Sequence, residues 1–472
     1  MTDAAAPDPS AGVPTFAVVG HPNKGKSSIV ATLAEDDRVD IRPESGTTRV
    51  AQRFTAVARD GSPLYTLIDT PGFQRARRAL DWMKRHETTA AEHAEVVRRF
   101  VEAHRGQPRH ADEVELLTPI VEGAAILYVV DGSTPFGPEY EPEMEVLRWT
   151  GRPSMALINP IGQADHVEAW RRALGQYFRI VREFNAVTVE FDKRVALLEA
   201  FAQLDESWEQ PMQRAAAVLR QQRASRREAA ADAIAAMLLD VLTMREQKKL
   251  GREQDPAPHK PRLEERLRDR VRARERACRQ QVNELYRHHR LQLDEDEIDP
   301  LGEDLFSEAT WNAFGLSRGE LAKLGGVGGA LAGGAAGATV DAALGGLSGL
   351  VPTVFGAAAG GLGGAAGGWW TSDRLAKTRL LNQPLGGRLL EAGPIQNPNV
   401  RFVLLGRAVA HQNLVADRTH ARPGVAAVVP PADWPEARKR GFARLFQQLA
   451  RGKQPLDPLA DRLKRELLPL LR

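Results

Sequence analysis

The chain has 472 residues, 43% of them hydrophobic and 26% charged, with 64 basic residues against 61 acidic ones. That length is enough for about two to four domains, and the composition lets most of the chain fold around real cores. A net charge of +3 with a pI near 9.0 does not by itself point to nucleic acid. The single cysteine, Cys278, excludes an intrachain disulfide and suits a reducing cytosol.

Residues 1–12 lack a basic start and an apolar run, and are expected to be a disordered lead-in rather than a signal peptide. The first apolar run, Phe16 to Val19, leads into Gly20-His21-Pro22-Asn23-Lys24-Gly25-Lys26-Ser27-Ser28, and a helix-forming run follows to Ala34. Strand, glycine-bounded GxxxxGKS loop and helix together predict a phosphate cradle. Backbone N–H groups curl around the anion, and the helix N-terminus adds the positive end of its dipole. This spacing puts Lys26 at the β- and γ-phosphates and Ser27 on Mg²⁺.

Beyond a polar stretch, Ser45-Gly46-Thr47-Thr48-Arg49 offers a threonine suited to closing on Mg²⁺ and a γ-phosphate. Val50 to Ala58 and Leu64 to Ile68 read as strands, with Asp60-Gly61 as the hairpin turn. The second runs into Asp69-Thr70-Pro71-Gly72. An acidic strand end suits a water-mediated Mg²⁺ contact, and the Gly72 N–H suits the γ-phosphate.

Lys26, Thr48 and Asp69 fall in the order of the G1, G2 and G3 motifs of P-loop GTPases. GHPNKGKS, GTTR and DTPG together resemble the Era- and TrmE-like branch of the translation-factor-related GTPases. The resemblance implies a G domain that binds GTP and GDP with Mg²⁺, with Thr48 as a metal ligand. It also implies that Asn23 is associated with a K⁺ ion that assists hydrolysis. Phe73 follows DTPG where Ras-like proteins place a glutamine, and Gln74 comes one position late. By resemblance the chain belongs with GTPases that rely on a cation or partner instead, and slow intrinsic turnover is expected.

Gln74 to Ile120 is too long for a simple loop. Asp81 to His104 is helix-prone, with Trp82, Ala90, Val96, Val97, Phe100 and Val101 on an apolar face. The segment is either a switch or effector element or an insertion that only packs. Ala124 to Val130 is a continuous apolar run ending at Asp131, as in a buried parallel strand. Tyr140 to Trp149 reads as a helix and Ser154 to Ile158 as a strand. The strand ends at Asn159, the first position of a guanine-reading NKxD motif. Pro160 and Gly162 stand where that motif has its lysine and aspartate, and Asp165 is a displaced candidate acceptor for the guanine N1–H and N2–H₂ donors. Asn185 and Ala186 lie where the weak G5 motif belongs.

Met212 to Lys249 has no glycine or proline and predicts one long helix starting near Pro211. Arg262 to Leu293 predicts a second, with an apolar stripe of Leu263, Leu267, Val271, Cys278, Val282 and Leu285, so the pair reads as an antiparallel hairpin. Ten arginines between Arg262 and Arg290 are interspersed with acids. They form either a solvated, salt-bridged face or a contact for anionic lipid headgroups or RNA. The lack of interleaved aromatic residues weighs against RNA. From Leu324 to Trp370, glycine recurs every fourth residue, at Gly325, Gly329, Gly333 and Gly337 and again at Gly356, Gly360, Gly364 and Gly368. Two apolar arms of about 20 residues follow, which either insert into a membrane with Trp369 and Trp370 at its interface or pack as a soluble core hairpin. Asn399 to Leu405 reads as a strand, and Trp434 to Ala450 and Leu459 to Leu471 as helices. His411, Asp417 and His420 lack metal spacing, and the histidines read as surface residues.

The whole chain resembles bacterial GTPases whose C-terminal half is an uncharacterised domain. The expected architecture is an α/β, Rossmann-like G domain over 13–190, a helical hairpin region over 191–320, a glycine-zipper hairpin over 321–372 and a small α/β tail over 373–472. The expected function is a GTP-hydrolysing switch, cytoplasmic and held at the membrane through 324–370. Its partners would be guanine nucleotide and membrane lipid or a membrane protein, with oligomerisation compatible. Nucleic acid is the less favoured partner. The alternatives are a soluble RNA- or ribosome-associated Era-like GTPase and an NTPase without strict guanine selectivity.

Overall fold

The computed structural model describes residues 13–35, 50–58, 60–87, 89–251, 253–288, 314, 369–372, 379–380, 383–384, 388–395, 397–421, 434–451 and 455–472. The lead-in over 1–12, Thr48 and the glycine-repeat segment over 324–368 lie outside them. The chain divides into two units. The first is residues 1–224 with 287–290 and 417–423, and the second holds the remainder.

Unit 1 is a six-stranded sheet built from β1 (Thr15–Val19), β2 (Gln52–Val57), β3 (Pro63–Asp69), β4 (Ala125–Val130), β5 (Ser154–Ile158) and β6 (Ile180–Glu183), in the order β2-β3-β1-β4-β5-β6. All neighbours are parallel except the β2–β3 hairpin. Asp60 closes that hairpin by accepting from the Ser62 N–H, and Gly61 takes φ 81°. All six residues of β4 are buried, which accounts for its unbroken apolar run.

Alternate residues of the strands feed two cores. Ala17, Val19, Ile126, Tyr128 and Val130 face α2 (Ala76–His86), α3 (His93–His104), α4 (Ala111–Val121), α5 (Glu141–Trp149) and α6 (Val167–Leu174). Phe16, Val18, Leu127 and Val129 share the other core with α1 (Lys26–Ala34), α7 (Phe191–Phe201) and the start of α8 (Glu209–Thr243). The segment from Gln74 to Ile120 packs. The expected single helix from Asp81 to His104 is two helices, and their Leu80, Met83, Val97 and Phe100 are core.

In unit 2, the rest of α8 runs antiparallel to α9 (Lys260–Leu285). Asp240 meets Arg274, while Ala230 shares a small core with Val282 further along α9. The predicted apolar stripe on α9 is buried at Leu263, Leu267, Val271, Cys278 and Val282, and half-buried at Leu285. Burial also pushes the Cys278 thiol up to about 11. The α8 helix stops at Thr243, short of the expected Lys249, because Glu246–Leu250 forms strand β7. The further strands are β8 (Trp369–Ser372), β9 (Arg379–Leu380), β10 (Gln383–Pro384) and β11 (Arg388–Ala392). Strand β11 pairs antiparallel with both β7 and β8. Trp369 and Trp370 therefore open a strand rather than close an apolar helical arm. Strands β9 and β10 pair with each other.

Asn399 to Leu405 is not a strand but the start of α10 (Pro398–Asp417), a helix whose residues are mostly buried. A short apolar run has no period that separates a strand from a helix enclosed on all sides. Helices α11 (Glu436–Arg451) and α12 (Leu456–Leu467) complete the unit, with Phe442, Phe446, Leu463 and Leu467 in its core.

The histidines expected at the surface are buried, His411 at 2% exposure and His420 at 7%. His411 Nε2 lies 3.3 Å from the Arg279 carbonyl, and burial, with Arg279 and Arg407 beside it, takes the imidazole from 6.5 to about 4 despite Glu275. The unfolded chain therefore takes up this proton first. Stability is full above pH 6.5 and falls as pH drops toward 4, by about 3 kcal/mol from this residue. Thermal melts across that window should show the decline in the native chain and a flatter profile in His411→Gln. An equal slope in both would remove His411 as the cause.

Candidate functional site

The parallel register of β1 and β3 pairs Val18 with Asp69, so the acid arrives beside the loop that leaves β1. That loop turns into α1 at Gly25, where φ is 83° and a Cβ would lie 2.2 Å from Asn159 Nδ2. Gly72 is as restricted, since a Cβ there would lie 2.5 Å from the Pro22 nitrogen. The Phe73 N–H donates to the Gly20 carbonyl at 3.1 Å, tying the end of the DTPG-Phe turn to the loop. Asn23 is exposed in the left-handed region, with φ 59°. Gly20, His21, Pro22, Lys24 and Ser28 complete the loop around the head of α1.

Lys26 is buried, and its ammonium donates to the His21 carbonyl at 2.9 Å. Burial lowers its pKa from 10.5 to about 8, opposed by the charges of Asp69 and Glu143. Ser27 Oγ donates to Asp69 Oδ2 at 2.7 Å. The two oxygens expected to hold Mg²⁺ are thus adjacent, and both are the hard donors that ion takes. Among the described residues no cluster of three or more His, Cys, Asp or Glu could hold a metal.

Glu143 on α5 stands behind this loop. It accepts from Tyr128 Oη at 2.9 Å and lies 2.7 Å from His21 Nδ1. Burial raises its carboxyl above the ordinary range, with His21, Tyr128 and Lys26 acting in the other direction. Lys24 Nζ donates to Thr134 Oγ1 at 3.2 Å and sits 3.8 Å from Asp131 Oδ2. Sequence reasoning missed Glu143, Tyr128 and Thr134. Only Glu143 left a signal, as an acid on the apolar face of a short helix.

On the expected base side, Asn159 is a bridge. Its Nδ2 donates to the Lys24 carbonyl at 3.1 Å and its Oδ1 accepts the Ala186 N–H at 3.1 Å. Asn185 Nδ2 donates to the Pro160 carbonyl at 2.7 Å, while its Oδ1 accepts the N–H groups of Val187 and Thr188. Asp131 Oδ1 accepts from the Ser133 and Ile161 N–H groups and so holds the loop after β5. Three loops distant in sequence thus meet at Asn159. Asp165 is exposed and makes no hydrogen bond among the described residues.

On the switch side, Phe73 is buried at 1% exposure and the Gln74 side chain is exposed. The N–H groups of Gln74 and Arg75 both donate to Glu113 Oε1 on α4. The helices after DTPG therefore fix the backbone of that turn.

Asn159→Ala leaves the Lys24 carbonyl and the Ala186 N–H without partners. Chemical denaturation of the full chain should show a loss of about 1–3 kcal/mol. A loss below about 0.5 kcal/mol, the range of ordinary surface substitutions, would mean the bridge does not hold these loops.

Residues 15–159 match the family model described as 50S ribosome-binding GTPase, and residues 171–465 match Domain of unknown function (DUF3482). Over 97 residues the chain is 39% identical to GTPase Der of Agathobacter rectalis, covering 20% of this chain and 22% of that one. It is 31% identical over 166 residues to GTPase Der of Acidithiobacillus ferrooxidans, covering 32% and 36%, and 36% identical over 115 residues to the tRNA modification GTPase MnmE of Azoarcus sp., covering 24% and 25%. The chain thus spans well under half the length of these curated relatives. A crystal structure of an Aquifex aeolicus Era variant bound to GDP·AlF4⁻ aligns with a TM-score of 0.29 at 16% identity, over 50% of this chain and 72% of that one. The chain belongs to the DUF3482 family, whose matched region here follows an Era/TrmE-like P-loop GTPase domain.

Proposed function

We propose that the chain is a GTP-hydrolysing switch. The observation that carries this reading is the convergence of Lys26, Ser27 and Asp69 at the head of α1, in a loop whose shape Gly25 and Gly72 permit. Lys26 is in place to exchange the His21 carbonyl for phosphate oxygens. The loop N–H groups and the α1 N-terminus supply fixed positive potential for charge that develops on the γ-phosphate. The Gly72 N–H supports the same phosphate from the switch side, and the GTTR motif gives Thr48 the role of a further Mg²⁺ ligand. Ser27 and Asp69 would hold Mg²⁺, which when bound neutralises phosphate charge.

Phe73 offers no hydrogen bond to an attacking water, so turnover by the chain alone is slow. In this reading, K⁺ beside Asn23 supplies the charge that a glutamine does not. In the same reading, Asp165 is the acceptor for the guanine N1–H and N2–H₂ donors. The glycine-repeat segment over 324–368 meets a membrane face in the same reading, an inference that rests on the sequence alone. Among the described residues no helix is long and apolar enough to cross a membrane. A second reading, an NTPase without strict guanine preference, is favoured by Pro160 and Gly162 in the base-reading loop.

Competition between labelled GTP and ATP tests the reading directly. GTP-selective binding that is lost in Lys26→Ala is the expected result. Phosphate release should fall roughly a hundredfold or more in that variant. Equal binding of both nucleotides would replace the GTPase with the broader NTPase, and no binding of either would overturn both. The wild-type rate should be higher in K⁺ than in Na⁺ at equal ionic strength, and equal rates would remove the cation from the mechanism.

A further inference from the structure

The arginines of α9 divide into two classes. Arg268, Arg272 and Arg274 each meet a carboxylate, Glu264, Asp269 and Asp240, at 2.7, 2.7 and 2.8 Å. Arg270 pairs with Glu246, and Arg279 lies 3.8 Å from Glu275. Arg262, Arg266 and Arg276 have no carboxylate partner among the described residues. Arg262 and Arg266 are four apart and so share one helix face. Both line a cleft of about 440 Å³ in unit 2, together with Lys248 from β7, His259 and Glu265.

The cleft has a built wall. His259 lies between Lys248 Nζ, 2.9 Å from its Nδ1, and Gln254 Nε2, 2.8 Å from its Nε2. The one acid in the lining, Glu265, lies 3.6 Å from Arg272, which is itself held at 2.7 Å by Asp269. Three cations against one carboxylate thus leave this concavity net positive, at the first turns of a 26-residue helix whose N-terminus adds to the same potential.

We propose that this cleft binds a phosphate monoester, carried either by a soluble molecule or by a lipid headgroup. Arginine guanidinium groups meet phosphate oxygens with paired hydrogen bonds, and a monoester brings close to two negative charges and three acceptor oxygens. Such a group fits two arginines one turn apart with a lysine opposite better than a singly charged carboxylate does. The site is independent of the nucleotide reading.

The test uses the full chain carrying Lys26→Ala, so that the P-loop contributes no phosphate binding. Calorimetric titration with inorganic phosphate probes the soluble source. Co-sedimentation with phosphatidylcholine vesicles containing phosphatidic acid, against vesicles containing phosphatidylserine, probes the headgroup. Affinity for at least one phosphate monoester source should fall about tenfold or more in Arg262→Ala/Arg266→Ala. It should hold in Arg274→Ala/Arg276→Ala, which removes the same charge from the same helix outside the cleft. Far-ultraviolet circular dichroism checks that both variants fold. Equal losses in the two variants would overturn the proposal, and so would the absence of phosphate binding together with no preference for phosphatidic acid over phosphatidylserine vesicles.

Discussion

Burying the ammonium of Lys26 costs several kcal/mol unless acceptors and negative charge stand close by. The ends of several elements are arranged to meet that demand. The His21 carbonyl accepts from it, Asp69 reaches it from the end of β3, and Glu143 reaches it from α5. Asp69 is there because the register of β3 on β1 carries it level with Val18. Glu143 is itself a buried charge and in turn needs Tyr128 and His21. One cation therefore links the loop, two parallel strands and a helix from the opposite core. Any anion that enters the loop takes over a role that protein oxygens fill before it arrives.

The phosphate side of this arrangement is legible in the sequence because its geometry is local. A loop that wraps an anion needs its glycines, lysine and serine within nine consecutive residues, and strand and helix periodicities flank it. Asn159 carries half of its meaning in the sequence: its position after β5 is visible. Its bridge is not, since Lys24 and Ala186 become neighbours only when the sheet order is known. The same holds for His411, whose partner carbonyl at Arg279 is 132 residues away. Helix α10 was hidden for a different reason. Five apolar residues within a stretch of seven fit a strand as well as they fit a helix enclosed on all sides. Strand β7 has the reverse problem, because Glu246 to Leu250 carries helix-favouring residues and is a strand only through its pairing with β11.

The charge pattern of α9 shows how a composition can conceal two kinds of site. Counted together, its arginines look like one solvated face. Placed in the structure, several are held by acids, and one of those acids, Glu275, lies in line with the apolar stripe. Its carboxylate is buried, which works to raise its pKa, yet Arg407 at 2.7 Å and Arg279 hold it below the ordinary range. A sequence stripe read as purely apolar thus contains a buried ion pair. Such a pair is costly to break from one side, because the remaining charge stays enclosed.

The one thiol of the chain is closed off from reagents. Cys278 lies on the buried face of α9, and its raised pKa leaves almost no thiolate at neutral pH, the form that attacks maleimides and iodoacetamides. The wild-type chain is therefore already a silent background for thiol chemistry. A cysteine placed at an exposed position such as Asp165 or Arg266 would take a fluorophore or spin label alone. The surroundings of each labelled site could then be followed through a nucleotide cycle without first removing a core residue.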